Sequence, residues 1–136
     1  MTFLVERLAE LERYLAHARR LAERVRDVSA FEADLTTRND VVHSLFLIAQ
    51  LIIDIAGELA SRRGTRVENY KEAIRSLASE PQFPPELVPK LEPLAGFRNI
   101  VVHEYIGLDA ERVVAALHEL ERVQQFLEFV RRREAR

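Results

Sequence analysis

The stretch "VVHSLFLIAQLIIDIAGELA", residues 41–60, decides the fold that the sequence predicts. Nearly every position in it is apolar, so at helical spacing the apolar side chains cover far more than the single stripe that a surface helix buries. Such a helix must be covered on two sides. In a bundle of this size we expect the core of its own chain on one side and a partner subunit on the other. The stretch therefore predicts the central helix of a homodimeric helical bundle.

The polar residues of this helix form one narrow strip, which consists of Asp40, His43, Gln50, Asp54 and Gly57. The strip is either the solvated edge of the helix or the wall of a functional cleft, and both interpretations stay open. Asp54 is its most informative member, because a carboxylate inside an apolar run needs a cationic partner. Arg98 is our candidate for that partner.

The bulk composition excludes several classes of function. A chain of 136 residues, 48% hydrophobic and 31% charged, fits one domain that spans residues 1–136. The net charge of -2 means that any nucleic acid must be held by a local patch. The absence of cysteine excludes disulfides and thiol catalysis, and no two histidines have the spacing of metal ligands. We therefore expect no metal and no cofactor.

Nothing in the sequence resembles a targeting segment. The N-terminus is amphipathic and charged from Glu6 onward, unlike a secretory signal peptide. No uninterrupted apolar run approaches the roughly 18 residues that span a membrane. We expect a cytoplasmic protein with no membrane partner.

Helical spacing dominates along the chain, and only four glycines are present. We expect an antiparallel all-α bundle of about five helices. The expected helices cover about residues 2–29 with Thr2 as N-cap, 37–63, 70–79 with Asn69 and Glu72 at capping-box spacing, 93–105, and 110–133 with Asp109 as N-cap. We expect a loop around "FEADL", residues 31–35, and broken turns in the proline-rich residues 80–92.

The stretch "GFRNIVVHEYIG", residues 96–107, carries the candidate chemistry. Arg98 offers a planar charged fork for phosphate oxygens, and the imidazole of His103 can take and give protons. On an ideal helix these two side chains point about 140° apart. They meet if the helix is distorted, if Arg98 wraps around it, or if two protomers contribute.

These groups suit metal-free cleavage of RNA, with Asn99 as a further hydrogen-bond donor. The 2′-hydroxyl attacks the neighbouring phosphate, a base and an acid move the protons, and a cation stabilises the added charge. DNA lacks that hydroxyl and would be inert. An arginine and a histidine at this spacing also occur by chance, with the histidine capping carbonyls and the arginine in a salt bridge.

The segment "AGFRNIVVHEY" resembles the arginine–histidine signature of the HEPN superfamily. More narrowly, it is similar to the Arg-x4-His-x-Tyr motif of the HepT toxin family, filled by Arg98, His103 and Tyr105 with Asn99 after the arginine. "AQLIIDIAGELASRRG", "YKEAIRSLA" and "YIGLDAERV" resemble other segments of that family, so the resemblance covers nearly the whole chain. It implies an all-α homodimer with the motif at the cleft between protomers, acting as a metal-independent endoribonuclease toxin.

The resemblance also implies roles for single residues. Arg98 and His103 would be catalytic. Apart from the resemblance, we expect Asn99, as a hydrogen-bond donor, and Asp54, on the polar strip, to bind or support the substrate. Tyr105 matches the tyrosine that the antitoxin MntA, a minimal nucleotidyltransferase, modifies with adenylyl groups from ATP, which silences the toxin. A bulky anion beside Arg98 would block the phosphate site.

The sequence departs from the family in one segment, and one alternative function stays open. Pro89 and Pro93 interrupt a segment that is often continuous helix in the family, which predicts a kinked approach to the motif. The alternative function is a non-enzymatic helical subunit that binds a nucleotide or substrate and partners a nucleotidyltransferase.

Overall fold

The computed structural model describes residues 3–103 and 105–134, and the regular elements in these residues are all helical. The α-helices are α1 (Phe3–Arg24), α2 (Val28–Ala33), α3 (Leu35–Arg62), α4 (Tyr70–Arg75), α5 (Leu87–His103), α6 (Ala110–Leu117) and α7 (Glu121–Glu134). Short 3-10 helices follow α4 and α5, at Ser76–Ser79 and Tyr105–Gly107. The all-α fold class is confirmed, with seven α-helices in the described residues where about five were expected.

Helix α3 is the centre of the bundle. It contacts α1 on one side and both α4 and α5 on the other. Helix α1 runs antiparallel to it, since His17 contacts Asp40 near the start of α3 while Phe3 lies beside Asp54. The expected burial on two sides is confirmed, but both sides are covered by the same chain. The wide apolar surface of α3 therefore does not require a partner subunit to cover it. The homodimer stays a prediction.

Helix α3 is also long and apolar enough to cross a membrane, with 28 residues and a mean hydropathy of 1.6 in its most apolar window. His43, Gln50 and Asp54 interrupt its apolar run, which is why no continuous stretch of that length is visible in the sequence. In the structure, 56% of that window is buried inside the bundle. A core helix of a soluble protein passes the same test, so the criterion is weak evidence for a membrane span.

The predicted loop around "FEADL" is wrong, because most of it is helical. The carboxylate of Asp27 accepts a hydrogen bond from the Ala30 amide at 2.8 Å and starts α2, which buries Phe31 completely. Asp34 then caps α3, accepting bonds from both the hydroxyl and the amide of Thr37. These bonds lower the pKa of Asp34. Helix α3 therefore begins at Leu35, before the two threonines that were expected to start it.

The predicted start of α5 at Pro93 is also wrong. The helix begins at Leu87, and the amide of Leu87 donates to the Pro84 carbonyl at 3.0 Å. Pro89 lies in the first turn, where a backbone N–H has no acceptor within the helix. Pro93 lies in the interior and removes one hydrogen bond there, and the helix continues through it to His103. The two prolines are therefore compatible with one helix that carries the whole motif up to His103.

The predicted last helix is divided into α6 and α7. Asp109 caps α6 as expected, accepting from the Glu111 amide at 3.0 Å, but the helix ends at Leu117. The following His118 is exposed, and its Nε2 lies 2.7 Å from the Val25 carbonyl at the end of α1. The break also lets Leu120 join Leu117 in the core.

The remaining helix ends differ by a few residues. Helix α1 ends at Arg24, five residues before the predicted end at Ser29, and Thr2, its predicted N-cap, lies outside the described residues. Asn69 caps α4 as expected, but the carboxylate of Glu72 bonds to the Glu68 amide instead of completing a capping box. Gly64 ends the α3 region with a positive φ of 75°, which glycine adopts without strain.

Candidate active site

The C-terminal half of α5 carries the motif, and the structure separates its members. Arg98 is half-buried and extends toward α3, whereas His103 is exposed in the last turn. The helix has α-helical conformation from Leu87 to His103, so the two side chains leave it about 140° apart. A distortion of the helix end before His103, one of the ways in which they could meet, is therefore absent.

Arg98 is held by residues of two other helices, α3 and α4. Its Nε donates a hydrogen bond to the Gln50 side-chain carbonyl at 2.8 Å. Its guanidinium carbon lies 4.1 Å from the centre of the Tyr70 ring, a cation–π contact. The amide nitrogen of Gln50 in turn donates to a carboxylate oxygen of Asp54 at 2.8 Å. We call Gln50, Asp54 and Tyr70 the arginine clamp.

The predicted pairing of Arg98 with Asp54 is therefore wrong in its direct form. Gln50 and Asp54 are four residues apart and adjacent on one face of α3. An amide both donates and accepts, so Gln50 satisfies the carboxylate with its nitrogen and the guanidinium with its oxygen. The Asp54 carboxylate is thus linked to Arg98 through the Gln50 amide. This link orients the Arg98 side chain without a direct ion pair that would neutralise its charge.

The terminal nitrogens of Arg98, Nη1 and Nη2, take no part in the hydrogen bonds of the clamp. Among residues 3–103 and 106–134, no hydrogen bond joins Nη1 or Nη2 to an acceptor. These two nitrogens form the edge of the guanidinium that binds two oxygens of a phosphate or carboxylate at once. The arrangement is that of a positioned anion receptor.

The other predicted site residues lie apart from the clamp. Asn99 is exposed and lines a shallow hollow with Lys71 and Glu92, and no hydrogen bond links it to Arg98. The backbone of Tyr105 lies in the 3-10 turn after α5, but its side chain is outside the described part of the structure. The roles assigned to Asn99 and Tyr105 therefore stay predictions.

The polar strip of α3 divides into two parts. Gln50 and Asp54 belong to the clamp, which supports the interpretation of the strip as part of a cleft. Asp40 and His43 instead line a second hollow against α1. Within the described residues, no three His, Asp or Glu side chains cluster closely enough to hold a metal ion.

Apolar side chains are exposed on both sides of His103. Val102 is 46% exposed and Ile106 is fully exposed. Nearby, a cavity of about 530 Å³ between α5 and α6 is lined largely by apolar side chains, including Phe97, Ile100 and Leu108. The motif thus ends in an apolar surface that the described residues do not cover.

Comparison with known proteins decides the family. The profile of the family described as "HepT-like: Ribonuclease HepT-like" matches residues 8–132. The chain belongs to this family. The resemblance inferred from the motif is thereby confirmed at the level of the family, and the match does not test the motif residues themselves.

Two relatives are named nucleases. The chain is 25% identical over 130 residues to the "mRNA nuclease HepT" of Shewanella oneidensis, an alignment that covers 94% of this chain and 96% of that protein. It is 34% identical over 115 residues to the "tRNA nuclease HepT" of Aphanizomenon flos-aquae, covering 82% of this chain and 75% of the relative.

Solved structures of the same fold come from toxin–antitoxin complexes. One is the tri-AMPylated Shewanella oneidensis HEPN toxin in complex with MNT antitoxin, with a TM-score of 0.81 and 25% identity over 96% of this chain and 98% of that one. Another, a toxin–antitoxin complex with AMP-PNP, has a TM-score of 0.81 at 24% identity, covering 94% and 96% of the two chains. The HEPN-like fold is confirmed.

Sequence reasoning missed Tyr70 and the role of Gln50. Gln50 was visible as a member of the polar strip, but only the fold shows that it stands between Asp54 and Arg98. Tyr70 begins a short helix right after its Asn69 cap, and no periodicity marks it as a partner of a residue 28 positions later. A joint change at positions 50, 70 and 98 among relatives would be the signal that identifies the clamp.

We predict that Gln50→Leu releases Arg98 while the fold stays intact. Loss of the two side-chain hydrogen bonds should lower the free energy of unfolding by about 1–3 kcal/mol. In ¹⁵N–¹H spectra the Nε–H signal of Arg98 should shift and exchange faster with solvent. Gln124→Leu, which removes an exposed bond to Glu128 on α7, is the matched control and should leave that signal unchanged. An unchanged Arg98 signal in Gln50→Leu would contradict the clamp.

Proposed function

We propose that this protein is the toxin of a toxin–antitoxin pair and acts as a metal-independent endoribonuclease. The observation that carries the proposal is the arginine clamp, which holds Arg98 by its Nε and by the ring of Tyr70 and uses neither terminal nitrogen in its hydrogen bonds. Relatives named mRNA nuclease and tRNA nuclease support RNA as the substrate class. We place this activity in the cytoplasm.

The proposed reaction uses the 2′-hydroxyl of the RNA as nucleophile. Its oxygen forms a bond to the adjacent phosphorus, and the bond from phosphorus to the 5′-oxygen of the next nucleotide breaks. The imidazole of His103 takes the 2′-proton, and the imidazolium that forms gives a proton to the leaving oxygen. Arg98 binds the phosphate oxygens, which gain charge in the transition state. The products carry a 2′,3′-cyclic phosphate and a 5′-hydroxyl.

A homodimer is the arrangement that supplies these groups. In one protomer Arg98 extends toward α3 while His103 is exposed on a different face of α5. Two protomers allow His103 of one chain to approach Arg98 of the other. The exposed Val102 and Ile106 next to His103 would be buried in such a contact.

We expect the purified protein to cleave RNA but not DNA in the presence of EDTA and to leave cyclic phosphate ends. His103→Ala should lower the cleavage rate by a factor of about 100 or more, because proton transfer is lost. Arg98→Ala should lower it by a factor of about 100 to 1000, because the charge on the phosphate is no longer stabilised. The readout is gel electrophoresis of labelled RNA with end-group analysis.

His118→Gln is the matched histidine control. It retains a donor for the Val25 carbonyl and lies outside the motif, so cleavage should persist. Equal activity of His103→Ala and the wild type would exclude the catalytic assignment. Nucleotide binding, or complex formation with a nucleotidyltransferase, without any RNA cleavage would favour the non-enzymatic alternative.

A mixing experiment tests whether the two protomers share the site. Arg98→Ala and His103→Ala proteins should each be inactive alone. If the site combines Arg98 of one chain with His103 of the other, mixed dimers contain one site with both residues, and activity should return to about one quarter of the wild type. With random pairing half of the dimers are mixed, and one of the two sites in each mixed dimer has both residues. One half of one half is one quarter. Persistent inactivity after subunit exchange, confirmed by mass spectrometry, would contradict a shared site.

We further propose that a minimal nucleotidyltransferase antitoxin silences the protein by modifying Tyr105. The phenolic oxygen attacks the α-phosphorus of ATP, pyrophosphate leaves, and the phenolic proton passes to solvent or to a base of the antitoxin. The similarity to a tri-AMPylated HEPN toxin bound to its MNT antitoxin supports this partner. Tyr105 follows His103 by two residues, so an added phosphodiester would compete with RNA for Arg98.

Incubation with the cognate nucleotidyltransferase and ATP should add adenylyl groups to Tyr105, detected by mass spectrometry of the tryptic peptide. Tyr105→Phe should accept none and keep its RNase activity in the presence of antitoxin and ATP. Tyr70→Phe, which retains the ring that contacts Arg98, is the control and should still be modified and inhibited. Adenylylation at another residue, with Tyr105 unmodified, would exclude this switch.

A further inference from the structure

A second polar hollow lies between α1 and α3, with a volume of about 490 Å³. Its lining includes Arg13, Tyr14, His17 and Arg20 from α1 and Asp40 and His43 from α3. We call it the α1–α3 hollow. None of its residues belongs to the arginine clamp or to the motif on α5.

The single carboxylate among the lining residues, Asp40, is already engaged. Nε2 of His17 lies 2.9 and 3.0 Å from its two oxygens, and the buried hydroxyl of Ser44 donates to one of them at 3.1 Å. These bonds hold the carboxylate in place without removing its charge. The lining also contains Arg13 and Arg20, so its formal charge is positive, with two arginines against one carboxylate.

The basic residues are available to a ligand. Arg20 is exposed and forms no ion pair with any residue that the structure describes. Among the described residues, Arg13 pairs with Glu10 alone, at 3.1 Å and with 78% of its side chain exposed, a contact of small energetic value. The exposed His43 and the hydroxyl-bearing Tyr14 complete a wall of groups that can donate hydrogen bonds to an anion.

The hollow lies on the same strip of α3 as the arginine clamp. His43 and Gln50 are seven residues apart, which is two turns of helix and returns to the same face. At about 1.5 Å per residue the separation along the axis is about 10.5 Å. A stacked single strand advances about 3.4 Å per nucleotide, so this length corresponds to roughly three nucleotides.

We propose that the α1–α3 hollow binds a second backbone phosphate of the RNA, roughly three nucleotides from the phosphate held by Arg98. The inference rests on the proposed RNase function and extends it to the path of the strand along α3. Arginine and tyrosine side chains that contact phosphate fix the register of a nucleic acid and carry no base information. The hollow thus supplies affinity and register, and leaves base selection to other residues.

Salt dependence of RNA binding tests the proposal. The probe is a fluorescein-labelled single-stranded RNA, bound to protein with His103→Ala so that it is not cleaved. Adding Arg20→Gln should weaken binding about 8-fold at roughly 0.05 M salt and lower the slope of log K against log[salt] by about 0.7, as loss of one phosphate contact predicts. The difference should vanish toward 1 M salt.

Arg19→Gln is the matched control, because Arg19 is the exposed neighbour on α1 and does not line the hollow. It removes the same charge from the same helix and should change the affinity less than twofold. Equal effects of the two substitutions would mean that only net charge matters and would overturn the proposal. Thermal unfolding confirms that both variants are folded.

Neutral methylphosphonate linkages locate the phosphate. One linkage at a time is replaced in an RNA whose cleavage site has been mapped with the active protein. One replacement, away from the scissile position, should weaken binding when Arg20 is present and have no further effect in Arg20→Gln. If no position shows this non-additivity, the hollow does not bind the strand.

The outcomes separate the two proposals. If the active protein cleaves no RNA, the RNase function itself fails. If it cleaves RNA but Arg20→Gln behaves like Arg19→Gln, only the second phosphate site fails. If Arg20→Gln binds RNA normally but weakens binding to the nucleotidyltransferase antitoxin, the hollow is a protein-docking surface and the RNA assignment is wrong.

Discussion

Helix α3 must bury apolar side chains around almost its whole circumference, and the rest of the structure depends on that constraint. Residues of α1 cover one side and residues of α4 and α5 the other, so the bundle is built around one central helix. Between residues 40 and 57, the residues of α3 that are not fully buried lie along one strip, which contains Asp40, His43, Gln50 and Asp54. The polar groups that this part of the helix offers for chemistry lie along that strip.

The arginine clamp follows from the same constraint. Because α4 and α5 pack on the same side of α3, Tyr70 and Arg98 are brought together beside Gln50. A half-buried guanidinium needs an acceptor, and an amide oriented by Asp54 provides one while leaving the positive charge available. The core of the bundle and the position of its candidate catalytic cation are thus products of one packing arrangement.

The arginine clamp and the α1–α3 hollow lie on the same strip of α3, which suggests that both bind the same ligand. The clamp lies where α5 crosses α3, and the α1–α3 hollow lies two helical turns away toward the start of α3. Each contains an arginine, Arg98 in the clamp and Arg20 in the hollow, that forms no ion pair with a carboxylate of the described residues. In a chain with net charge -2, such local positive surfaces are the places where a polyanion can bind.

Local turn chemistry explains most differences between the predicted and the observed helices. Asp27 and Asp34 both act as N-caps, so a segment predicted as loop becomes α2 and an earlier start of α3. Pro89 is tolerated in a first turn, and His118 bonds to the end of α1 at a point where periodicity predicted uninterrupted helix. A single side chain decides each of these outcomes. Hydrophobic periodicity is a property of a whole segment and does not show what one side chain does.

The sequence by itself determined the helical class, the central helix, the family and the residues that carry the candidate chemistry. These properties depend on spacing along the chain, which is visible without a structure. Only the tertiary structure decided that Gln50 lies between Arg98 and Asp54, that Tyr70 contacts the guanidinium, and that α3 is covered by its own chain. The reason is physical: these contacts join residues far apart in sequence, and their geometry depends on how the helices pack.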